Sequence, residues 1–237
     1  MIDIPGFSIS KQVVKIFTIT LLVLSFSCSA NPQLQSPPME AGMPQRIVLP
    51  TPILEGEYSL EETLRERRSV REFTDEPLKL EEISQLLWAA QGITDPRGYR
   101  TAPSAGALYP IELYMVTAEG LFHYHPQDHS LVLAGEGDLR EQLCEAGLGQ
   151  DAIAEAPAVF VLTVVYERVE VKYGAERTPR YVHLEAGHAA QNLLLQAVSL
   201  DLGATPIGAF YDEQVQSVLD LPLDHEPLYL IPVGHPK

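Results

Sequence analysis

The chain has 237 residues, 46% hydrophobic and 20% charged, which suits one globular domain of ordinary size with an appendage. Its 16 Lys and Arg stand against 32 Asp and Glu, a formal charge of -16, so most of the surface repels a polyanion and nucleic acid is excluded as a partner. Cys28 and Cys144 are the only cysteines, and once the leader that carries Cys28 is removed no internal disulfide is possible, leaving stability to packing and assembly.

Residues 1–30 have the layout of a secretory leader. Lys11 and Lys15 precede an uncharged apolar run, 16–26, followed by Ser27, Cys28, Ser29 and Ala30. The run falls short of the ~20 residues that a spanning helix needs. Cys28 resembles the lipidated cysteine of a bacterial lipoprotein, and Cys28-Ser29-Ala30 also fits ordinary signal cleavage. Either route predicts an exported protein, periplasmic or anchored to the membrane through Cys28. Residues 31–57, with Pro32, Pro37, Pro38, Pro44, Pro50 and Pro52, read as a tether. The folded body is expected over 58–237.

In the body, Ser59 and Glu62 form a capping box that opens a helix reaching about Arg67. Leu80, Ile83, Leu86, Leu87 and Ala90 recur at helical spacing, with Gly92 where that second helix ends. The β-prone run 111–117 predicts a strand, and 121–124 with 131–134 a hairpin. A short amphipathic helix is expected at 138–146, an apolar strand at 158–166, and a long helix over 181–202 stopped by Gly203. A strand near Thr205, a helix at 212–219 and a strand at 228–233 complete the order. Without a steady βαβ rhythm the fold class is α+β, not a doubly wound parallel sheet. The long helix is apolar on more than one face, as a core helix or a subunit-interface helix would be.

Several common sites are missing: the sequence has no G-x-G-x-x-G after a strand, no phosphate-loop motif, no G-x-S-x-G and no H-E-x-x-H. His123 with His125, and His183 with His188, come without carboxylates or cysteines at ligand spacing, so no metal site is expected. Nothing near Cys144 in sequence lowers a thiol pKa, which makes it a packed residue. The positive signals are three. Arg67, Arg68, Ser69 and Arg71 offer forked donors and a hydroxyl suited to a phosphorylated ligand, although a solvated basic helix end has the same composition. In APSAGALYP, 102–110, small residues and Gly106 let backbone approach a flat ligand; a plain turn has the same look. GATPIGAF, 203–210, again places small residues at the start of a strand.

In this order RRSVR, PSAGALYP, GHAAQNLLLQA and TPIGAF resemble the nitroreductase superfamily, and PSAGALYP resembles its SagB-type azoline dehydrogenase, or thiazole oxidase-like, branch. The resemblance covers roughly 58–237. It implies a nitroreductase-like α+β fold, a central mixed or antiparallel sheet flanked by helices with a long central helix. It also implies a homodimer that binds two FMN molecules, each held by both subunits. Carried over by position, Arg67, Arg68, Ser69 and Arg71 hold the flavin's phosphate, ribityl chain and pyrimidine edge. Pro103, Ser104, Ala105 and Gly106 approach the ring from the partner subunit, and Ile207 and Gly208 lie against N5. The family closes its phosphate site with a basic residue near the C-terminus; here only His235 and Lys237 are available. The implied chemistry is hydride transfer through flavin N5, oxidising azolines to azoles. The alternatives are an NAD(P)H-dependent nitro or quinone reductase, or a non-enzymatic exported flavin-binding electron carrier. Azole formation also needs a base on the substrate side. Lys172 and Tyr173, in VKYGAERTPRY, resemble the pair associated with catalysis in azoline dehydrogenases; as ordinary residues they would be a solvated loop lysine and a packing tyrosine.

Overall fold

The computed structural model describes residues 45–237. The expected leader, Cys28 and most of the expected tether therefore lie outside the described residues. Among the described residues no helix is long and apolar enough to cross a membrane.

The strands are β1 (Arg46–Val48), β2 (Ile111–Thr117), β3 (Gly120–His125), β4 (Ser130–Glu136), β5 (Ala158–Val164), β6 (Gly203–Ala204) and β7 (Glu226–Gly234). The helices are α1 (Leu60–Glu66), α2 (Leu80–Gln91), α3 (Arg140–Ala146), α4 (Asp151–Glu155), α5 (Glu167–Tyr173), α6 (Thr178–Ser199) and α7 (Asp212–Val218). The strands form one sheet in the order β1-β4-β3-β2-β5-β7-β6, and every ladder is antiparallel.

Period-two alternation along β5 explains the layering. Ala158, Phe160, Leu162 and Val164 face a core shared with Leu86, Leu87 and Ala90 of α2 and with Ala186, Ala189 and Leu193 of α6. Val159 and Val161 face the opposite core, against Leu143 of α3, Ile153 of α4 and Val215 of α7. Both faces of the sheet are thus covered by helices. Cys144 belongs to this second core, where burial pushes its thiol pKa up. Ser59 caps α1 as expected, its side chain accepting from the Glu62 N–H while the Glu62 carboxylate takes the Ser59 N–H.

Three boundaries differ from the sequence reading. The tether expected over 31–57 gives way to edge strand β1, which pairs with β4. Arg46 forms an ion pair with Asp128 and Leu49 is buried, and these contacts order a stretch whose prolines suggest a linker. The long helix begins at Thr178, because Pro179 is tolerated in a first turn. It ends at Ser199, where Asp201 takes a left-handed φ of 57°. Helices α4 and α5 were not expected from the sequence, and α5 carries both Lys172 and Tyr173.

Gly203, expected to stop the long helix, instead begins β6. A Cβ there would lie 2.6 Å from Val70 Cγ1 and 2.8 Å from Val70 Cβ, so the arginine-bearing segment approaches β6 only because this residue has no side chain. Gly203→Ala should therefore destabilise the protein by about 1–3 kcal/mol through overpacking. Urea unfolding checks this: the midpoint falls relative to the parent, with the slope unchanged.

Candidate active site

After Arg67 caps α1 the chain runs extended. Ser69 bridges Ala204 in parallel sense, and the Val70 N–H donates to the Ala204 carbonyl at 3.0 Å. The C-terminus returns along the same segment. The Thr74 N–H donates to the His235 carbonyl at 2.8 Å, and the Lys237 N–H to the Glu72 carbonyl at 3.2 Å. Lys237 is therefore held beside Arg71. A cleft of about 570 Å³ opens here, lined by Arg71, Gln150, Asp151, Ile207 and Lys237 among others. Ile207 is buried and exchanges backbone hydrogen bonds with Leu230, at 2.8 and 3.0 Å, while Gly208 beside it is exposed.

The two C-terminal basic residues part company. Lys237 faces the cleft, with Nζ 3.5 Å from Glu155. His235 directs its imidazole toward Glu82, at 3.8 Å, and Glu76, at 4.0 Å, and does not line the cleft. The arginines differ too. Arg65 pairs with Glu66 at 2.7 Å, whereas Arg68 donates to the carbonyls of Arg65 and Arg67, at 2.8 and 2.7 Å. Among the described residues no carboxylate pairs with Arg67, Arg68 or Arg71.

A second group of residues gathers at the turn before β2. Pro103 is exposed, and Ser104 precedes a 3-10 turn over Ala105–Ala107. The Ser104 hydroxyl oxygen accepts the Tyr109 N–H at 2.9 Å. Gly106 takes φ 66°, and a Cβ there would lie 2.6 Å from Lys172 Nζ and 3.1 Å from Tyr173 Oη. Glycine suits the left-handed backbone, and a side chain there would displace the ends of Lys172 and Tyr173. The two residues singled out in sequence for chemistry are thus seated on the turn singled out for ligand approach. None of Pro103, Ser104, Ala105, Gly106, Lys172 and Tyr173 lines the Arg71 cleft. One chain therefore carries two separate groups.

Sequence reading missed what holds α5 in place. Arg168 donates to the Tyr109 carbonyl at 3.1 Å and pairs with Glu112 at 2.5 Å, and Glu112 also meets His123 at 2.7 Å. Burial opposes ionisation of Glu112, but His123 and Arg168 outweigh it and hold its pKa down to about 2. The available signal was a charged residue at alternate positions of an otherwise apolar strand, Glu112 in IELYMVT.

An antiparallel sheet covered on both faces by helices thus carries a cleft of mixed charge, where Arg71 and Lys237 lie among Glu72, Asp151 and Glu155, and a glycine turn at the head of β2. The chain belongs to the nitroreductase family, whose profile matches residues 64–235. A Methanocaldococcus jannaschii protein assigned by name to the nitroreductases is 45% identical over 184 residues, covering 75% of this chain and 91% of that protein. A Ralstonia eutropha crystal structure, likewise assigned to the nitroreductases, superimposes with a TM-score of 0.74 at 33% identity, over 81% of this chain and 90% of that one. A chain of the Escherichia coli microcin synthetase McbBCD complex, solved with truncated pro-MccB17 bound, is 25% identical with a TM-score of 0.65, over 76% of this chain and 74% of its own length. The protein is a nitroreductase-family oxidoreductase.

The Glu112 cluster makes a pH prediction. A carboxyl whose folded pKa lies near 2, against an ordinary 4.5, adds stability that is full above the ordinary value and is lost as pH falls through the folded one. Glu112→Gln should cost about 2–3 kcal/mol at neutral pH. In denaturant titrations the gap from the parent should close steadily below about pH 4.5; a gap independent of pH would remove the ionised carboxylate from the account.

Proposed function

We propose that the protein is an FMN-dependent dehydrogenase that oxidises azolines to azoles, working as a homodimer. The observation that carries this reading is the seating of Lys172 and Tyr173 against Gly106. The likeness to a chain of a synthetase solved with a peptide precursor bound is in keeping with a peptide-borne substrate.

The residues present fit FMN. Its phosphate is a small dianion, and Arg67, Arg68 and Arg71 meet no carboxylate among the described residues, in a chain of net charge -16. Lys237 lines a cleft with Arg71 and lies 3.5 Å from Glu155, so an incoming phosphate would compete with that carboxylate for it. FMN, when bound, supplies a two-electron acceptor at N5. This chain's part is to hold the phosphate through the guanidinium groups and to bring the 103–106 backbone close to the ring. Lys172 and Tyr173 take the proton that leaves substrate carbon as its hydride departs, so two electrons and one proton leave as hydride and one further proton goes to the base.

Dimerisation joins the two groups that a single chain keeps apart. Leu60 and Leu64 on α1 are 61% and 53% exposed and Leu184 on α6 is 55% exposed, apolar surface suited to a second copy. Light scattering on the full chain should show twice the chain mass. Arg68→Ala should weaken FMN binding roughly tenfold or more, the loss of one charged hydrogen bond. Arg65→Ala, which breaks only an exposed contact to Glu66, should leave binding near that of the parent, and equal retention in both variants would remove the cluster from the site.

Lys172→Ala and Tyr173→Phe should stay yellow and dimeric yet lose azoline oxidation. Stopped-flow reduction of the bound flavin separates the alternatives. Rapid reduction by NAD(P)H supports a nitro or quinone reductase, reduction by an azoline alone supports the dehydrogenase, and reduction by neither supports an electron carrier.

A further inference from the structure

The turn that seats Lys172 and Tyr173 is bent against the preference of its own residues. Gly106, Ala107 and Tyr109 take left-handed φ values of 66°, 55° and 48°. Glycine does so freely, whereas alanine and a bulky aromatic residue do so at a steric cost. Tyr109 is opposed twice, because it precedes Pro110 and a proline ring drives the residue before it toward extended backbone. Such a conformation persists only where the surroundings over-determine it.

Around Tyr109 they do. Its N–H donates to the Ser104 hydroxyl oxygen at 2.9 Å, at the start of the turn. Its carbonyl accepts from Arg168 Nη1, on α5, at 3.1 Å. Its hydroxyl oxygen accepts the Arg100 N–H at 3.2 Å, and the Arg100 guanidinium lies over its ring, 4.6 Å from the centroid. Both arginines are anchored in turn, Arg168 by Glu112 at 2.5 Å and Arg100 by Gln91 Oε1 at 2.7 Å. Pro110, next in the chain, is buried, and its carbonyl accepts the Val165 N–H at 2.9 Å. Tyr109 itself has no part in the proton transfer assigned to Lys172 and Tyr173.

One residue thus joins the turn to the helix. Arg168 and Lys172 are four residues apart and so lie on one face of α5, the first bonded to Tyr109 and the second resting at Gly106. α5 therefore meets the turn at two points three residues apart, and the backbone conformation of Tyr109 sets the spacing between them. We propose that Tyr109 is the positioning residue of this site, its left-handed backbone holding Gly106 where the Lys172 amine and the Tyr173 hydroxyl rest. The catalytic half of this rests on the azoline dehydrogenase reading. In extended backbone, the default before a proline, the Tyr109 N–H and carbonyl would leave Ser104 and Arg168, and the turn would lose its register with α5.

Amide hydrogen exchange on the full chain tests this without flavin or substrate. Tyr109→Phe keeps the ring beneath Arg100 and gives up the hydroxyl alone, so exchange over 104–109 and along α5 should stay close to the parent's. Tyr109→Ala keeps the steric cost of a β-carbon and loses the ring, so both segments should exchange roughly tenfold faster or more. Tyr109→Gly loses the same ring but adopts left-handed φ freely, so its exchange should fall between the two. A residue that only packs would give the opposite order, with glycine worse than alanine. Azoline turnover should follow the same order, kcat falling roughly tenfold or more in Tyr109→Ala while KM changes little, because a misplaced base acts on the chemical step. Exchange that is equal in all three variants, that rises in the turn but not in α5, or that is faster in Tyr109→Gly than in Tyr109→Ala overturns the proposal. Should Tyr109→Ala fail to fold, Ser104→Ala removes the acceptor of the Tyr109 N–H from outside the residue; faster exchange in both segments then upholds the proposal and unchanged exchange along α5 overturns it. A parent that turns over no azoline while exchange follows the expected order sinks the dehydrogenase reading and the catalytic half, leaving Tyr109 as the residue that positions the turn on α5.

Discussion

The register of two buried strands sets the geometry of the site. β2 and β5 run antiparallel with Ile111 opposite Val164, so the residues before β2 and those after β5 emerge at the same end of the sheet. The first set is the turn around Gly106 and the second is α5 with Lys172 and Tyr173. A slip by one residue would turn Phe160 and Leu162 out of their core and exchange the two faces of β5, so the register is fixed by burial on both sides. The seven residues of β5 are all buried, and the meeting of turn and helix inherits the rigidity of that packing. Arg168 completes it by tying α5 to the Tyr109 carbonyl and to Glu112.

What was legible in the sequence follows from the strength of its local signals. The Ser59 and Glu62 capping box, the α2 periodicity and the runs that form β2 to β5 each repeat a single pattern over many residues, and all lie where expected. α5 was not legible because only Val169 of its seven residues is buried. Its packing relies on a polar tie through Arg168 that no periodicity reports. β1 was hidden for a related reason: three residues among prolines are ordered by an existing edge, which a local reading does not contain. The limits of α6 were misjudged because Gly203 looks like a helix stop, when the close approach of Val70 is what requires it.

The site was legible as residue types and not as an arrangement. RRSVR and PSAGALYP each fit an ordinary helix end or turn, and only their order carried meaning. Sequence placed Lys172 and Tyr173 far from Gly106 along the chain, and it could not separate His235 from Lys237. The docking of the C-terminus along Glu72 and Thr74 fixes both residues, and their side chains diverge: Lys237 lines the cleft while His235 turns toward Glu76 and Glu82. His235 and Lys237 lie two apart, so alternation along the chain alone would put them on one side, and no local pattern reports their divergence.

Charge explains why the arginine segment reads as a ligand site even though a basic helix end has the same composition. In a chain with twice as many acids as bases, an arginine has carboxylates within easy reach. Arg46, Arg97, Arg140 and Arg168 each pair with one. Arg67, Arg68 and Arg71 pair with none of the described carboxylates, and neither do Arg100, Arg177 and Arg180; what sets the first three apart is that they fall within a five-residue stretch, where like charges favour water or an anion beside them. The surrounding negative field then selects among anions. The cleft beside Arg71 itself carries Glu72, Asp151 and Glu155, so a long polyanion meets acids throughout, whereas a single phosphate held at the guanidinium groups is screened from charges more than roughly 10 Å away at moderate salt. Local cations within a strongly acidic protein therefore favour a small phosphorylated ligand over nucleic acid, and they do so without help from the fold.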